Sequence, residues 1–265
     1  MELPEECIAD ILCRTTPVDV ARNSVVSKIF CSAAESDTIW NHFLHSDYHS
    51  IVPQSLSLAN APSKKALYLA LSDHPIIIDQ GKKVNTLINL ISFQLDRKSG
   101  KKCYMLSARA LHISRGDDER YCSWVTLPES RFEEVAQLKL GFWYGICGKI
   151  NIVDLSSNTQ YAAFLVFKLI TDDRYFQNPV MFSIGIFGGP MRTKVVWMDI
   201  ELEKFIDKVL EYPNVRSDGL WEIEMGQFFN SGLDDGEGEM TVMMPYDYVL
   251  GGSFYLEGIE VRPKI

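Results

Sequence analysis

At 265 residues, the chain is long enough to bury a core unaided and to hold one domain of average size with a second, smaller one. Apolar residues make up 46% and charged residues 23%, which excludes the polar composition of a disordered chain. A net charge of -9 argues against nucleic acid and anionic membranes as partners, because both are bound through positive charge. The expected partner is a protein or a neutral molecule.

The sequence contains no pattern typical of secretion or of a membrane protein. The first residues, "MELPEECIAD", are acidic and lack the cationic start of a secretory signal. The longest apolar stretch, Tyr161–Phe167, falls far short of the ~20 residues that a membrane helix requires. The cysteines are widely spaced and form no C-x-x-C pair, which predicts buried or half-buried free thiols in a reducing compartment.

Residues 1–46 are predicted to form three or four short amphipathic helices, because their apolar residues recur at three- and four-residue spacings. Pro4 suits a first helical position, Pro17 interrupts the pattern, and Asp37 is the expected N-cap of a further helix. So few short helices bury too little surface to be stable alone. This unit is therefore expected to need a partner.

Residues 47–100 read as a connecting region, with a helix expected from Ser63 to Leu71. From Lys101 onward, short runs rich in β-branched and aromatic residues alternate with turn formers, and only residues 127–138 read as a helix. Many short strands without long helices between them favour an antiparallel sandwich. The expected fold class is therefore α+β, with small N-terminal helices and a β-sandwich.

Two clusters of the sequence are candidate metal sites. His42, His45 and His49 share one face if they lie on a single helix, but no further ligand completes the set, and a solvated helix end is the preferred interpretation. The acidic segment 234–239, "DDGEGE", lacks the ligand register of a calcium loop and reads as a hairpin turn. No metal, no cofactor and no catalytic motif is expected, so an enzyme is disfavoured.

The segment "LPEECIADILCRTTPVDVARNSVVSKIFCSAAESDTIWNHFL" resembles an F-box in the order and spacing of its motifs. That resemblance implies docking on the Skp-type adaptor of a cullin-RING ubiquitin ligase, which would supply the missing partner. The alternative is that several of these side chains only hold the helices together; interface is favoured for Leu3 and Pro4. The residues that the resemblance implies for the adaptor contact are Leu3, Pro4, Ile8, Ile11, Leu12, Val25, Phe30 and Trp40.

The remainder, including "SARALHISRGDDERYCSWVTLPESRF" and "LEGIEVRPK", resembles the phloem protein 2 domain, a lectin-like module. The resemblance implies a sandwich that binds N-acetylglucosamine oligomers or N-glycan cores through stacked aromatic rings. Sugar-binding members carry tryptophan at the positions of Arg115 and Cys122, and the order of "GLWEI" is transposed around Trp221. Trp124 also fits a core tryptophan. The implied carbohydrate site consists of Arg115, Tyr121, Cys122, Trp124 and Glu222.

The leading hypothesis is a non-catalytic substrate-recognition subunit of a cullin-RING ligase, cytoplasmic and nuclear, with a target protein that carries N-glycans. The alternative is a lectin that acts independently of ubiquitination, and a homodimer is possible. The expected divisions are an F-box at 1–46, a connecting region at 47–100 with an inserted apolar octet at 84–91, and the sandwich at 101–265.

Overall fold

The computed structural model describes residues 4–45, 48–51, 56–79, 90–139, 144–170, 179–196, 213–233, 235–244 and 253–264. The chain divides into two compact units. One contains residues 1–78, 92–103 and 265, and the other contains residues 79–91 and 104–264. Of the apolar octet 84–91, only Leu90 and Ile91 fall within the described residues, where they begin a strand.

The first unit is helical, as predicted, and polar side chains cap its helices. The hydroxyl of Ser63 accepts a hydrogen bond from the N–H of Ala66, so the predicted helix after Ser63 is confirmed. Ser36, rather than Asp37, caps the fourth helix. No helix in the described parts of the chain is long and apolar enough to cross a membrane. The helices are α1 Glu5–Leu12, α2 Pro17–Asn23, α3 Lys28–Ala34, α4 Asp37–Phe43, α5 Tyr48–Ile51, α6 Leu56–Ala59 and α7 Lys64–Asp73.

Aromatic side chains form the centre of this unit. The indole N–H of Trp40 donates to the carbonyl of Ala34 at 2.7 Å, and its ring lies 5.1 Å from that of Tyr68. The hydroxyl of Tyr68 donates to the carbonyl of Asp96 at 3.1 Å, which ties the turn after the strand Leu90–Leu95 to α7. Residues 92–103 therefore belong to the same unit as the helices.

The second unit is an antiparallel sandwich of two sheets, which confirms the predicted fold class. Within this unit the first sheet has the order β3-β14-β8-β12-β11, with β6 also paired to β14 and β5 to β6; the second has the order β10-β9-β13-β7-β4. With β1 Ile76–Asp79 and β2 Leu90–Leu95 numbered first, the strands are β3 Lys102–Ser107, β4 His112–Ile113, β5 Cys122–Val125, β6 Val135–Lys139, β7 Tyr144–Asn151, β8 Thr159–Leu169, β9 Val180–Ile186, β10 Arg192–Val196, β11 Asn214–Val215, β12 Trp221–Asn230, β13 Glu237–Met244 and β14 Ser253–Pro263.

The two sheets bury the alternating apolar residues of their strands. On the first sheet, Leu165 of β8 lies between Ile259 of β14 and Ile223 of β12, and all three side chains are buried. On the second sheet, Phe182 of β9 pairs with Val242 of β13, and both are buried. These inward-facing residues form the core on which the loops of the sandwich rest.

The helix predicted for residues 127–138 is wrong. Residues 127–134 form turns, and β6 begins at Val135 and pairs with both β5 and β14. Phe132 is buried separately against Met105 and Val166. The apolar spacing of this segment suits a helix, but β6 pairs on both edges and buries Val135, Ala136 and Leu138, so the tertiary pairing overrides the local propensity.

The hairpin turn predicted for residues 234–239 is also wrong. The preceding strand, β12, belongs to the first sheet, whereas β13, which begins at Glu237, belongs to the second. The segment is therefore a connection between the two sheets. Asp234 lies outside the described residues.

Candidate functional site

A tight loop precedes β5 and sets the direction of the side chains around it. Arg115 has a backbone φ of 63°, in the left-handed region, which turns the chain sharply. The carbonyl of Asp118 accepts hydrogen bonds from the N–H groups of Tyr121 and Cys122 at 2.9 and 3.0 Å. The carboxylate of Asp118 accepts from the guanidinium of Arg120 at 2.7 Å, and this hydrogen bond lowers the pKa of the Asp118 carboxyl. The loop is thus closed by its own side chains.

A cavity of about 560 Å³ opens between this loop and β5. Its wall combines one indole ring with two carboxylates, those of Asp117 and Glu119. Carboxylates accept hydrogen bonds from hydroxyl groups, and a flat ring packs against the apolar face of a sugar or a peptide side chain. The lining residues are Gly116, Asp117, Glu119, Cys122, Ser123 and Trp124.

Trp124 is the aromatic wall of this cavity, and one of its faces is already covered. The guanidinium carbon of Arg109 lies 3.5 Å from the centre of the Trp124 ring. Arg109 is itself held by Glu134, which accepts from its Nε at 3.0 Å and from its Nη2 at 2.6 Å. The indole is therefore half-buried against an ion pair, and not within the sandwich core, which was the alternative interpretation of Trp124.

Tyr121 carries cations at its ring as well. The guanidinium carbon of Arg115 lies 4.7 Å from the ring centre, and that of Arg120 lies 5.4 Å away. Arg115 occupies a position at which the family resemblance implies a stacking tryptophan. In this chain that position supplies a cation to Tyr121 and not an aromatic plane to a ligand.

Cys122 begins β5 and is 2% exposed, at the floor of the cavity. Burial raises the pKa of its thiol, so the thiolate that reacts as a nucleophile is disfavoured near neutral pH. The prediction that all six thiols are buried or half-buried is wrong for Cys7 and Cys31, which are exposed on α1 and α3. A small buried side chain at position 122 leaves room where the resemblance implies an indole.

The structure does not bring Glu222 to this cavity. Glu222 lies on β12, and β8, β14 and β6 separate that strand from β5. Four strand spacings correspond to about 19 Å along the sheet. The carboxylate already accepts from Arg216 at 3.0 Å and from Arg262 at 2.6 Å. A carboxylate engaged by two guanidinium groups has little capacity left for sugar hydroxyls.

Within the first unit, the residues implied for adaptor binding differ in their exposure to solvent. Ile8, Leu12 and Trp40 are buried inside the helical unit, so they shape its surface from within and cannot themselves touch a partner in this conformation. Phe30 is half-buried and Pro4 is exposed; Leu3 lies outside the described residues. Two of the implied residues are strongly exposed apolar side chains: Ile11 at 50% and Val25 at 85%.

The three histidines do not share a helix. His42 lies on α4 and His49 on α5, while the ring of His45 lies 3.2 Å from the carbonyl oxygen of Gly100. In the part of the chain that the structure describes, no group of three or more His, Cys, Asp or Glu side chains is arranged to hold a metal ion.

Sequence reasoning missed Arg109, Glu134, Asp117 and Glu119. The two acids lie two and four positions before Tyr121, and their place in the charged loop was the available signal. Arg109 and Glu134 carried no such signal, because they are 25 positions apart and meet only where β3, which precedes Arg109, and β6, which follows Glu134, both pair with β14. Their contact is a product of the tertiary fold.

Comparison with known proteins follows the same division of the chain. The F-box domain family model matches residues 1–42, and the phloem protein 2 family model matches residues 101–263. The Arabidopsis thaliana "F-box protein PP2-B10" is 37% identical over 263 residues, covering 98% of this chain and 92% of the relative. "Putative F-box protein PP2-B12" from the same plant is 38% identical over 268 residues, covering 100% of this chain and 98% of the relative.

Among solved structures, similar chains are a family 61 carbohydrate-binding module in complex with β-1,4-galactotriose and a family 35 carbohydrate-binding module from Clostridium thermocellum. They share 12% and 10% identity, cover 60% of this chain and 91% and 96% of their own, and have TM-scores of 0.36 and 0.35. Scores of this size establish neither a shared fold nor a shared ligand. On the family matches and the near full-length relatives, this chain belongs to the phloem protein 2 family and carries an F-box at its N-terminus.

Proposed function

We propose that this chain is the non-catalytic substrate-recognition subunit of a cullin-RING ubiquitin ligase, which docks on a Skp-type adaptor through its F-box. The carrying observation is the apolar surface of the helical unit, where Ile11 is 50% exposed, Val25 85% and Val26 67%. Exposed apolar side chains on a folded unit of this size are typical of a protein interface. The same proposal puts the chain in the cytoplasm and the nucleus.

Introducing a negative charge on this surface tests the adaptor contact. We expect Ile11→Asp and Val25→Asp each to weaken adaptor binding at least about tenfold, because a buried carboxylate would replace an apolar contact. Binding is measured by isothermal titration of the full chain with a purified Skp-type adaptor. Both side chains are exposed in the isolated chain, so its thermal unfolding should shift little.

Leu233→Asp provides the matched control, because Leu233 is 92% exposed but belongs to the sandwich unit. We expect it to leave adaptor affinity unchanged. If adaptor affinity is unchanged in both Ile11→Asp and Val25→Asp, the proposed F-box contact is wrong. This result would not depend on what the sandwich binds.

We propose that the sandwich selects the target through the cavity beside Trp124, and that an N-glycan on the target is the group it binds. Support comes from the combination of an aromatic wall with the carboxylates of Asp117 and Glu119 around about 560 Å³ of space. The second candidate function, a lectin that acts without ubiquitination, is favoured by the same cavity. In the first candidate function the chain binds the glycan and the adaptor in one ligase complex. In the second it binds the glycan without the adaptor.

Removal of the indole tests the cavity. We expect Trp124→Ala to lower the affinity for N-glycan cores or chitotriose about tenfold or more, because a ring that packs on a sugar face is lost. A glycan array of the full chain bound to its adaptor, followed by titration of the strongest ligand, makes the measurement. Tyr255→Ala serves as the control, since Tyr255 is a half-buried aromatic residue on β14 and does not line the cavity. If the wild-type chain binds no glycan on the array, the result would instead indicate that the sandwich recognises a protein surface.

A further inference from the structure

The Trp124 ring stands on a short strand, β5, and needs lateral support to serve as a wall. β5 spans only Cys122–Val125 and pairs on one side, with β6, among the described strands. The ring itself projects from the sheet, where its half-exposed indole would sample several rotamers without a neighbour. The contact that restrains it comes from Arg109.

Arg109 follows β3 in a short 3-10 helix, and Glu134 lies immediately before β6. The guanidinium lies 3.5 Å from the indole centre, and Glu134 holds it through two donors at 3.0 and 2.6 Å. A planar guanidinium held at both Nε and Nη2 cannot rotate freely, so it presents a fixed face to the ring. Neither residue lines the cavity.

Arg109 covers one part of the indole and does not line the cavity. The surface of the indole that faces the cavity is therefore the surface that Arg109 leaves uncovered. We propose that Arg109 and Glu134 are positioning residues, which hold the Trp124 indole at the angle required for ligand binding. Glu134 acts only through Arg109. This inference rests on the proposed role of the cavity in target recognition, and it adds the two residues that set its geometry.

The alternative is that the ion pair only stabilises the sandwich. The Arg109 side chain is 23% exposed and that of Glu134 is 42% exposed. Ion pairs with such solvent access contribute little to stability, typically under about 1 kcal/mol. Their removal should therefore change the indole and the ligand affinity far more than the unfolding temperature.

The experiment uses the full chain bound to its adaptor, with 5-fluorotryptophan incorporated into the chain. Fluorine NMR reports the tryptophan environments, and loss of one signal in Trp124→Phe assigns Trp124. We expect Arg109→Gln and Glu134→Gln each to shift and broaden the Trp124 signal and to weaken chitotriose binding about three- to tenfold, with little change in the unfolding temperature. Arg109→Lys should restore only part of the affinity, because an ammonium lacks the planar face.

The double variant tests whether Glu134 acts through Arg109. Adding Glu134→Gln to Arg109→Gln should produce no further loss of chitotriose affinity. Glu224→Gln is the matched control, because Glu224 accepts from Lys264 at 2.6 Å in an ion pair of the same unit, elsewhere on the sheet. It should leave both the fluorine signal and the affinity unchanged.

An unchanged Trp124 signal in both single variants overturns the positioning role, and so does a fully additive loss in the double variant. Failure of the proposed glycan function gives a different result. The wild-type chain would then bind no chitotriose, while the Trp124 signal would still respond to Arg109→Gln and Glu134→Gln. In that outcome the two residues keep their role in shaping the cavity wall, and the ligand class is wrong.

Discussion

Gly258→Ala is expected to destabilise the sandwich by about 4 kcal/mol or more, which is enough to leave little soluble protein. A Cβ atom at this position would lie 1.9 Å from the carbonyl oxygen of Leu106. Gly258 pairs with Ser107 of β3 on one side and with Val166 of β8 on the other. The backbone cannot move away from Leu106 without breaking one of these two ladders, so the clash has no inexpensive escape.

Chemical denaturation of the purified chain, or the soluble yield where purification fails, measures the effect. Gly219→Ala is the matched control, because Gly219 has a φ of 82° but no atom within 4 Å of the added Cβ. Its cost should be about 1 kcal/mol, the penalty of a left-handed backbone alone. If Gly258→Ala and Gly219→Ala prove equally stable, the close approach of β14 to Leu106 is not rigid.

Arg216→Met is expected to cost about 3–5 kcal/mol at neutral pH, because it removes the shortest ion pair of the buried Glu260 carboxylate. The Arg216 guanidinium donates to Glu260 at 2.6 Å and to Glu222 at 3.0 Å. Glu260 is 5% exposed. Arg262 contacts both acids, at 2.8 and 2.6 Å, and Arg131 lies 3.5 Å from Glu260, but neither guanidinium replaces the 2.6 Å contact that Arg216 makes.

The pH dependence of this variant has a definite sign. Burial opposes ionisation of Glu260, but the charges of Arg216, Arg131 and Arg262 outweigh it and lower the pKa of the carboxyl. A lowered pKa means that Glu260 contributes stability above the unfolded-state pKa of about 4.3, and that this contribution is lost as the pH falls through the folded-state pKa. Without Arg216 the carboxyl protonates more readily. The difference between wild type and Arg216→Met should therefore shrink below about pH 4.

Urea denaturation at several pH values from neutral to acidic measures this difference. Lys264→Met is the control, because Lys264 donates to Glu224 at 2.6 Å but is 44% exposed. An exposed pair should contribute under about 1 kcal/mol. A loss for Arg216→Met as small as that for Lys264→Met would mean that water reaches Glu260 and Glu222 in solution.

Most of the strands could be predicted from local pattern. β8, β9, β12, β13 and β14 each lie where a run of β-branched and aromatic residues predicts them. The segment 127–138 could not be assigned correctly in this way, since its apolar spacing favours a helix. The segment forms a strand instead of a helix because β5 and β14 pair with the two edges of β6.

The candidate site shows the same division. Cys122 and Trp124 are near neighbours in the chain, so their common place beside one cavity follows from sequence proximity and the start of β5. Glu222 is distant in the chain, and the strand order puts β8, β14 and β6 between it and β5. The spacing of residues in a sequence does not predict the order of strands in a sheet.

From the sequence alone come the α+β class, the short N-terminal helices, the antiparallel strands and the resemblance to an F-box followed by a phloem protein 2 domain, because periodicity and motif order are local properties of a chain. The tertiary structure alone decides which apolar F-box residues are buried and which remain exposed, such as Ile8 and Ile11. It also decides that Arg109 and Glu134 meet at the Trp124 ring. These outcomes depend on contacts between residues far apart in the chain, and such contacts form only when the strands have paired.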